Sequence, residues 1–335
     1  MTVYPNVKLN IGLRVLGKRP DGYHELETAF VPCYAYSDCL EIVPAATFEV
    51  EISGPEYTGW DSSEDLTARA WRLLRADFGI PPVRISLEKR SPVGAGLGGG
   101  SADGAFALAA LNEMFSLGLS KERLAEYAAR LGSDCAFFVY NFPMFASGRG
   151  EVLEPIRLPL DGYRFEVAVP PGVHVSTKEA YEGLKQADAT SSEEGRRQKG
   201  PKMLHPPGEN GGGCVKNGEK RQGTISAGEA TASDPVRSSA AHPSQPGGWA
   251  PPSNDAEGGT PLGGSTSPAI SDLRELLTAT PIEKWRDLVV NDFEASIFPK
   301  YPAIAELKED FYRRGAVYAA MSGSGSAVFG IFKED

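Results

Sequence analysis

Apolar and polar residues alternate near the start of the chain. Residues 7–15 follow this pattern, with Lys8 and Asn10 among the polar positions. A period of two predicts a half-buried strand, because successive side chains of a strand point to opposite faces. Lys8 and Asn10 are therefore expected to share one face. The same kind of pattern predicts further strands at residues 39–43, 47–52, 83–89, 165–169, 316–321 and 327–332.

Apolar residues spaced three and four positions apart predict helices elsewhere in the chain. These helices are expected at residues 65–77, 102–115, 121–131, 178–185, 271–277, 282–289 and 302–314. The strands cluster first and then alternate with helices, without a regular strand–helix–strand repeat. This mixture favours an α+β fold in two lobes over a doubly wound sheet.

Residues 188–266 show neither kind of periodicity. The segment holds 15 glycines and 9 prolines and few large apolar side chains. Such a composition cannot bury enough apolar surface to offset the ~1–2 kcal/mol of backbone entropy lost per ordered residue. We therefore predict a disordered insertion at 188–266. A regulatory or docking role for it stays open, although no amphipathic repeat or recognition pattern stands out in it.

Composition and charge narrow the class of protein. The 335 residues are 41% hydrophobic and 23% charged, and the formal net charge is −10, which argues against duplex nucleic acid as a partner. No run of about 20 apolar residues is present, and the first residues do not resemble a signal peptide. The four cysteines lack metal-type spacing with the histidines, so we expect reduced thiols without structural zinc or disulfides.

A glycine-rich loop joins the strand predicted at 83–89 to the helix predicted at 102–115. Glycines occur at positions 94, 96, 98, 99 and 100. Glycines allow bare backbone N–H groups to approach a ligand, and a helix N-terminus favours an anion, so the loop predicts a phosphate site.

Other interpretations of this loop are weaker. Gly94, Gly96 and Gly99 also fit the dinucleotide fingerprint, but a second helix follows the first where a dehydrogenase would have a strand. No Gly-Lys-Ser/Thr follows the glycines, which excludes a Walker-type loop. A merely flexible connector does not explain glycines placed directly at an apolar helix start.

Three shorter segments each allow two interpretations. Residues 321–326 read as a hairpin turn or as a second backbone-rich loop that closes on the phosphates. Asp134, after Gly132 and Ser133, could cap the apolar segment 135–140 or act in chemistry. Residues 20–24 have turn composition, and their Tyr-His pair could pack or hold a planar ligand.

Read together, the segments 7–10, 94–103, 132–134 and 321–326 resemble the GHMP kinase superfamily in order and spacing. The resemblance implies an ATP-dependent small-molecule kinase with its active site in a cleft between two lobes.

It also implies the division of the chain. Residues 1–157 would form an N-terminal ATP-binding lobe of the ribosomal protein S5 domain 2 type. Residues 158–187 and 267–335 would form a ferredoxin-like C-terminal lobe, separated by the insertion at 188–266.

The resemblance assigns roles to individual residues. Asp134 matches the catalytic aspartate and Lys8 the lysine beside it. Asp65 lies where many relatives carry Asn near the adenine, which leaves that contact open. Mg²⁺ is expected with ATP, because phosphoryl transfer uses a cation that bridges the phosphate oxygens. The loop residues that match the ATP-phosphate site are Pro92, Gly94, Gly96, Leu97, Gly98, Gly99, Gly100 and Ser101.

The segments 19–24 and 171–177, followed by Tyr181, resemble the branch that phosphorylates a cytidine diphosphate-linked methylerythritol in the non-mevalonate isoprenoid route. That resemblance implies that Tyr23 and Tyr181 sandwich the cytosine and that His24 reads its edge. The remaining substrate-side residues are Asn10, near the hydroxyl, and Thr177.

Two competing functions stay open. Mevalonate, homoserine and sugar kinases lack the Asp-Gly-Tyr-His element after the first strand. A non-catalytic sensor of the same fold would not need both Lys8 and Asp134. Because Lys8 already lies in the first strand, no room is left for a plastid transit peptide, and we expect a bacterial cytoplasmic enzyme.

Overall fold

The computed structural model describes residues 1–184, 235–239 and 272–334. The strands are β1 (Thr2–Val3), β2 (Asn6–Lys18), β3 (His24–Ser37), β4 (Cys39–Pro44), β5 (Glu49–Ser53), β6 (Val83–Glu88), β7 (Met144–Ser147), β8 (Val152–Pro155), β9 (Tyr163–Ala168), β10 (Val236–Ser239), β11 (Tyr318–Met321) and β12 (Val328–Lys333). The helices are α1 (Leu66–Phe78), α2 (Gly99–Met114), α3 (Lys121–Leu131), α4 (Cys135–Tyr140), α5 (177–184), α6 (Leu273–Ala279), α7 (Glu294–Ile297) and α8 (Pro302–Arg313).

Within these ranges the strands form three four-stranded sheets. The first has the order β1-β4-β6-β5, with β5 parallel to β6 and the other pairs antiparallel. The second, β2-β3-β7-β8, and the third, β10-β9-β12-β11, are antiparallel throughout. Helices α1, α2 and α3 pack with the first sheet, and α8 packs on the third. The predicted α+β fold is confirmed.

Two helix starts determine the shape of the site. Asp65 is the N-cap of α1, and its side chain accepts a hydrogen bond from the backbone N–H of Thr67. Helix α2 begins at Gly99, inside the glycine run and earlier than the predicted start at residue 102. Gly98 precedes it with φ of 72°, a left-handed conformation that favours glycine. The first-turn N–H groups of α2 therefore belong to the glycine loop itself.

Residues 6–13 of β2 are buried on both faces of the strand, so the prediction of a half-buried strand is wrong for this part. Its apolar residues Val7, Leu9 and Ile11 belong to one core cluster, while Lys8 and Asn10 are only 4% and 3% exposed. The polar face is covered because the glycine loop and the segment 321–326 pack against it. Burial of polar side chains requires partners, which makes this face a candidate for chemistry.

Several other elements differ from the sequence-based expectations. Residues 282–289, predicted as a helix, contain the 3-10 turn Ile282–Asp287. Strands β3, β7 and β8 and helix α7 were not predicted. Residues 20–24 are the turn between β2 and β3, as expected, with Arg19 N–H donating to the carbonyl of Tyr23 at 2.7 Å.

The prediction of disorder at 188–266 is wrong for Val236–Ser239, because this stretch pairs with β9 as an edge strand. Backbone hydrogen bonds hold such a strand irrespective of its composition, so the glycine and proline count gave no sign of it. Apart from 235–239, that segment lies outside the described residues. Across the described ranges, no helix combines the length and the hydropathy that crossing a bilayer requires.

Candidate active site

Lys8 and Asp134 lie side by side, although they come from distant parts of the chain. The Nζ atom of Lys8 is 3.5 Å from Oδ2 of Asp134. Asp134 occupies the N-cap position of α4 but makes no side-chain capping hydrogen bond. Its carboxylate faces the Lys8 ammonium instead, and its side chain is 29% exposed. The pair therefore combines a buried cation with a carboxylate that a substrate can reach.

The ammonium of Lys8 is held from several sides. Its Nζ donates to Oδ1 of Asn10 and lies 4.8 Å from the ring centroid of Phe30. Burial lowers the pKa of Lys8, and the charge of Asp134 and its hydrogen bond oppose that shift. Asn10 in turn donates from Nδ2 to Oγ1 of Thr28 at 3.2 Å. The predicted placement of Lys8 and Asn10 on one face is confirmed by their contact.

The glycine loop packs directly on β2. The backbone N–H of Lys8 donates to the carbonyl of Leu97 at 2.9 Å. A Cβ added at Gly98 would lie 3.2 Å from Cγ and Cε of Lys8, so a side chain there would press on the lysine. Gly100, in contrast, has open space around the position of a Cβ. The structure thus brings the predicted phosphate loop against the predicted catalytic pair.

The segment 321–326 is a turn between two strands, as the first interpretation predicts. It connects β11 to β12, and it also lies against the glycine loop. The hydroxyl of Ser322 donates to the carbonyl of Gly96 at 3.1 Å and accepts from the backbone N–H of Asn10 at 3.2 Å. The backbone N–H of Ala327 donates to the carbonyl of Ala95 at 3.0 Å.

The side chain of Asn291 holds this second loop through two hydrogen bonds. Its Nδ2 donates to the carbonyls of Met321 and Gly323, both at 2.8 Å. The Asn291 side chain is buried, and its Oδ1 accepts from the backbone N–H of Phe293 at 3.0 Å. Sequence reasoning missed Asn291, because a lone Asn in a predicted loop carries no signal of such a role.

A cleft of about 370 Å³ opens over the glycine loop. Its walls come from the loop, the start of α1 and the first turns of α2. The lining residues are Trp60, Asp65, Leu66, Lys89, Pro92, Val93, Gly94, Ala95, Gly96, Gly98, Gly99, Gly100, Ser101 and Asp103. Every predicted ATP-binding residue except Leu97 lines it. Leu97 is 1% exposed and belongs to the core beneath the loop.

A buried polar network that the sequence did not predict supports the loop. Lys89 donates to Oδ2 of Asp103 at 2.7 Å and also contacts Asp38. Burial raises the pKa of Asp103 well above its ordinary value, although the charge of Lys89 opposes the shift. A Cβ at Gly99 would lie 2.4 Å from Oγ of Ser91, a further member of the network. The network therefore fixes the start of α2 from below.

Two of the predicted substrate-side residues are in direct contact. His24 stacks on Tyr181, with ring centroids 4.5 Å apart and planes 17° apart. Tyr23 is 57% exposed, and the guanidinium of Arg149 lies 4.7 Å from its ring centroid. His24 thus covers one face of the Tyr181 ring. A base can reach that face only if the His24 ring moves.

Thr177 lies at the start of α5, and its Oγ1 is 3.2 Å from Oγ of Ser324. The second loop therefore reaches from the glycine loop to the predicted substrate side. In the described part of the chain, no group of three or more His, Cys, Asp and Glu side chains is arranged to hold a metal ion.

Comparison with known proteins identifies the class. The family profile described as GHMP kinases N terminal domain matches residues 65–142, and the profile described as GHMP kinases C terminal matches residues 269–335. The chain belongs to the GHMP kinase family.

Within this family, the similar proteins share one name. A 4-diphosphocytidyl-2-C-methyl-D-erythritol kinase from Bacteroides fragilis is 37% identical, and the match covers 100% of this chain and 93% of the relative. The protein of the same name from Cytophaga hutchinsonii is 35% identical, with coverage of 99% and 92%.

Solved structures agree with the fold. The crystal structure of a 4-(cytidine 5'-diphospho)-2C-methyl-D-erythritol kinase has a TM-score of 0.62 at 27% identity, and the match covers 98% of this chain and 89% of that one. A homoserine kinase from Cytophaga hutchinsonii has a TM-score of 0.56 at 14% identity, over 98% and 85% of the two chains, which shows the fold alone.

Proposed function

We propose that this protein transfers the γ-phosphoryl group of ATP to the 2-hydroxyl of 4-diphosphocytidyl-2-C-methyl-D-erythritol. The observation that carries the proposal is the Lys8–Asp134 pair at 3.5 Å, packed against the glycine loop. The names of the full-length relatives supply the substrate. The reaction belongs to the non-mevalonate route to isoprenoid precursors, and we place it in the cytoplasm.

In this reaction the substrate hydroxyl oxygen forms a bond to the γ-phosphorus, and the bond from that phosphorus to the bridging β,γ-oxygen breaks. Asp134 orients the hydroxyl and accepts its proton late, since the transition state is loose and proton transfer lags behind bond cleavage. The proton then passes to solvent, and ADP leaves. The ammonium of Lys8 holds the Asp134 carboxylate in place and offsets negative charge near the transferred group.

The glycine loop supplies the phosphate site. Backbone N–H groups at the start of α2 point at the cleft, where the helix N-terminus favours an anion. Loop residues 92–101 hold the phosphates in this proposal, and Gly100 and Ser101 are in the first turn of the helix. Positioning of the γ-phosphate against the hydroxyl accounts for much of the catalysis in such reactions.

Mg²⁺ enters this proposal with the nucleotide. Magnesium prefers oxygen ligands and commonly keeps waters and phosphate oxygens around it, with one or two protein ligands. The hydroxyl of Ser101 lines the cleft and fits that requirement. When bound, the cation neutralises charge on the phosphate oxygens.

The substrate side completes the proposal. Tyr23, Tyr181 and His24 would hold the cytosine, with Thr177 nearby and Asn10 beside the hydroxyl. Stacking of a base on an aromatic ring contributes about 1–3 kcal/mol, which would also offset the displacement of His24 from Tyr181.

The test is incubation of the full chain with ATP, Mg²⁺ and the cytidylylated methylerythritol, followed by phosphorus NMR. A new phosphomonoester at the 2-hydroxyl is the expected product. Parallel reactions with mevalonate and homoserine serve as controls. Phosphorylation of one of these instead would indicate another kinase of the family, and binding without turnover would indicate a sensor.

A further inference from the structure

The cleft over the glycine loop is lined by two chemically different sets of residues. One set consists of glycines between positions 94 and 100, together with Ser101. The other set is apolar and consists of Trp60, Leu66, Pro92 and Val93. A nucleoside triphosphate is divided in the same way, into an anionic tail and a planar base. The tail fits the glycine loop, which leaves the apolar residues for the base.

Trp60 is the aromatic residue among those that line the cleft. Its indole N–H donates to Oδ2 of Asp65 at 3.3 Å. The ring of Tyr57 meets the Trp60 ring at 81°, with centroids 4.6 Å apart, and the Tyr57 hydroxyl donates to the Trp60 carbonyl at 2.9 Å. The indole is thus fixed before a ligand arrives, which reduces the entropy lost on binding.

Asp65 has both carboxylate oxygens engaged by the protein. Oδ1 accepts from the backbone N–H and the hydroxyl of Thr67, at 2.9 and 2.7 Å, and Oδ2 accepts from Trp60. A carboxylate committed in this way orients its neighbours rather than a nucleotide. The sequence left the adenine contact at Asp65 open, and these hydrogen bonds favour a supporting role for its carboxylate.

We propose that Trp60 stacks on the purine base of the nucleotide, and that Asp65 is a positioning residue that holds the indole ring. The inference rests on ATP being the co-substrate, as in the proposed function. Asn at position 65 has a single acceptor oxygen, so it can keep the cap on Thr67 or the bond to Trp60 but not both. Asp65 can therefore accept hydrogen bonds from both Thr67 and Trp60, whereas Asn at this position cannot.

The first experiment compares Trp60→Ala and Trp60→Phe in the full chain. Loss of stacking should raise the KM for ATP about tenfold to a hundredfold in Trp60→Ala, and less in Trp60→Phe. The value of kcat at saturating ATP should stay close to that of the parent. Inorganic tripolyphosphate, which lacks a base, should inhibit all three proteins equally well. The control is Phe78→Ala, which removes an exposed aromatic outside the cleft.

Two results would overturn the assignment of Trp60. One is a KM for ATP in folded Trp60→Ala equal to that of the parent. The other is a loss of inhibition by tripolyphosphate as large as the loss of ATP affinity, since that would indicate damage to the phosphate loop. Thermal melts of each variant verify that it is folded.

The second experiment tests Asp65 through Trp60. Asp65→Asn should raise the KM for ATP with little change in kcat, and it should add nothing in a Trp60→Ala background. Such non-additivity is expected when two residues act as a unit, and a merely structural role of Asp65 would give additive effects. Additive losses would therefore refute the positioning role.

These outcomes separate this inference from the proposed function. Turnover of the methylerythritol substrate with an unchanged KM for ATP in Trp60→Ala would leave the function intact and refute the stacking. Nucleotide binding, measured by calorimetry, that weakens in Trp60→Ala in a protein without turnover would support the stacking and refute the function.

Discussion

The Nζ of Lys8 lies 3.5 Å from Oδ2 of Asp134, which joins the first long strand to the start of α4. The lysine is buried, whereas the aspartate remains partly open to solvent. In the proposed function, the exposed Asp134 carboxylate therefore meets the substrate hydroxyl, and the buried Lys8 ammonium holds that carboxylate.

Asp134→Asn should lower kcat by about 10²–10⁴-fold, the range typical for loss of a positioned proton acceptor. Binding of the cytidylylated substrate should be retained, because the amide has nearly the same shape. Steady-state kinetics and calorimetry measure the two effects. Asp161→Asn is the matched control, an exposed carboxylate far along the chain from the pair. Near-native kcat in Asp134→Asn would refute its assignment.

The pH dependence of activity should report on Lys8. Burial lowers its pKa from the ordinary value of 10.5, so its positive charge is lost at a lower pH than in a free lysine. We expect kcat to fall on the alkaline side at a pH below 10.5. In an active Lys8→Arg variant, kcat should fall at a higher pH than in the parent, because a guanidinium stays charged. An alkaline limb that is the same in both proteins would contradict this origin.

The stability of the protein should follow the same titration. Since the pKa of Lys8 is lower in the folded state, the unfolded chain binds more protons between that pKa and 10.5. The free energy of unfolding gains a contribution from Lys8 that rises with pH in this window. Urea denaturation across the window should show a smaller rise in Lys8→Met. An equal rise in both proteins would indicate another titrating group.

Gly96→Ala and Gly100→Ala form a matched pair in the phosphate loop. Gly96 has φ of 79°, and a Cβ there would lie 2.2 Å from the carbonyl oxygen of Ser322. We expect Gly96→Ala to cost more than about 1 kcal/mol of stability. Gly100 has open space and lies in the first turn of α2, so Gly100→Ala should be neutral or stabilising by up to about 1 kcal/mol. Thermal denaturation measures both, and equal losses would contradict the packing of the two loops.

Asn291→Asp tests how the second loop is held. The change replaces an amide donor to two carbonyls by a carboxylate that would face them, so we expect a loss of about 1–3 kcal/mol. Asp287→Asn is the control swap at an exposed position. Chemical denaturation measures stability, and the KM for ATP reports any shift of the glycine loop. A variant as stable as the control would show that the two hydrogen bonds are dispensable.

The sequence predicted elements whose pattern is local. Residues 121–131 and 302–314 repeat apolar positions at helical spacing, and both are helices with bounds within one residue of the prediction. Residues 24–37 form a long strand that was missed, because the apolar run at 29–36 does not alternate and contains Pro32. Val236–Ser239 was missed for another reason, since an edge strand depends on its neighbour for backbone partners.

The pairing of Lys8 with Asp134 was predicted only through resemblance. Alternation alone placed Lys8 and Asn10 on one face, but nothing local to Asp134 indicates that it meets Lys8. The stacking of His24 on Tyr181 also lay beyond the sequence, because side-chain orientation in an unliganded pocket depends on packing that spacing does not encode. The hydrogen bonds of Asp65 with Trp60 and Thr67 also depend on packing that spacing does not encode.

The hydroxyl of Ser322 links the backbone of Asn10 to that of Gly96, so a residue near one end of the chain ties together two segments made much earlier. During synthesis, the ribosome produces the lysine, the glycine loop and the aspartate long before this tie can form. A chain that ends before the second loop therefore contains both Asn10 and Gly96 but lacks the hydroxyl that joins them.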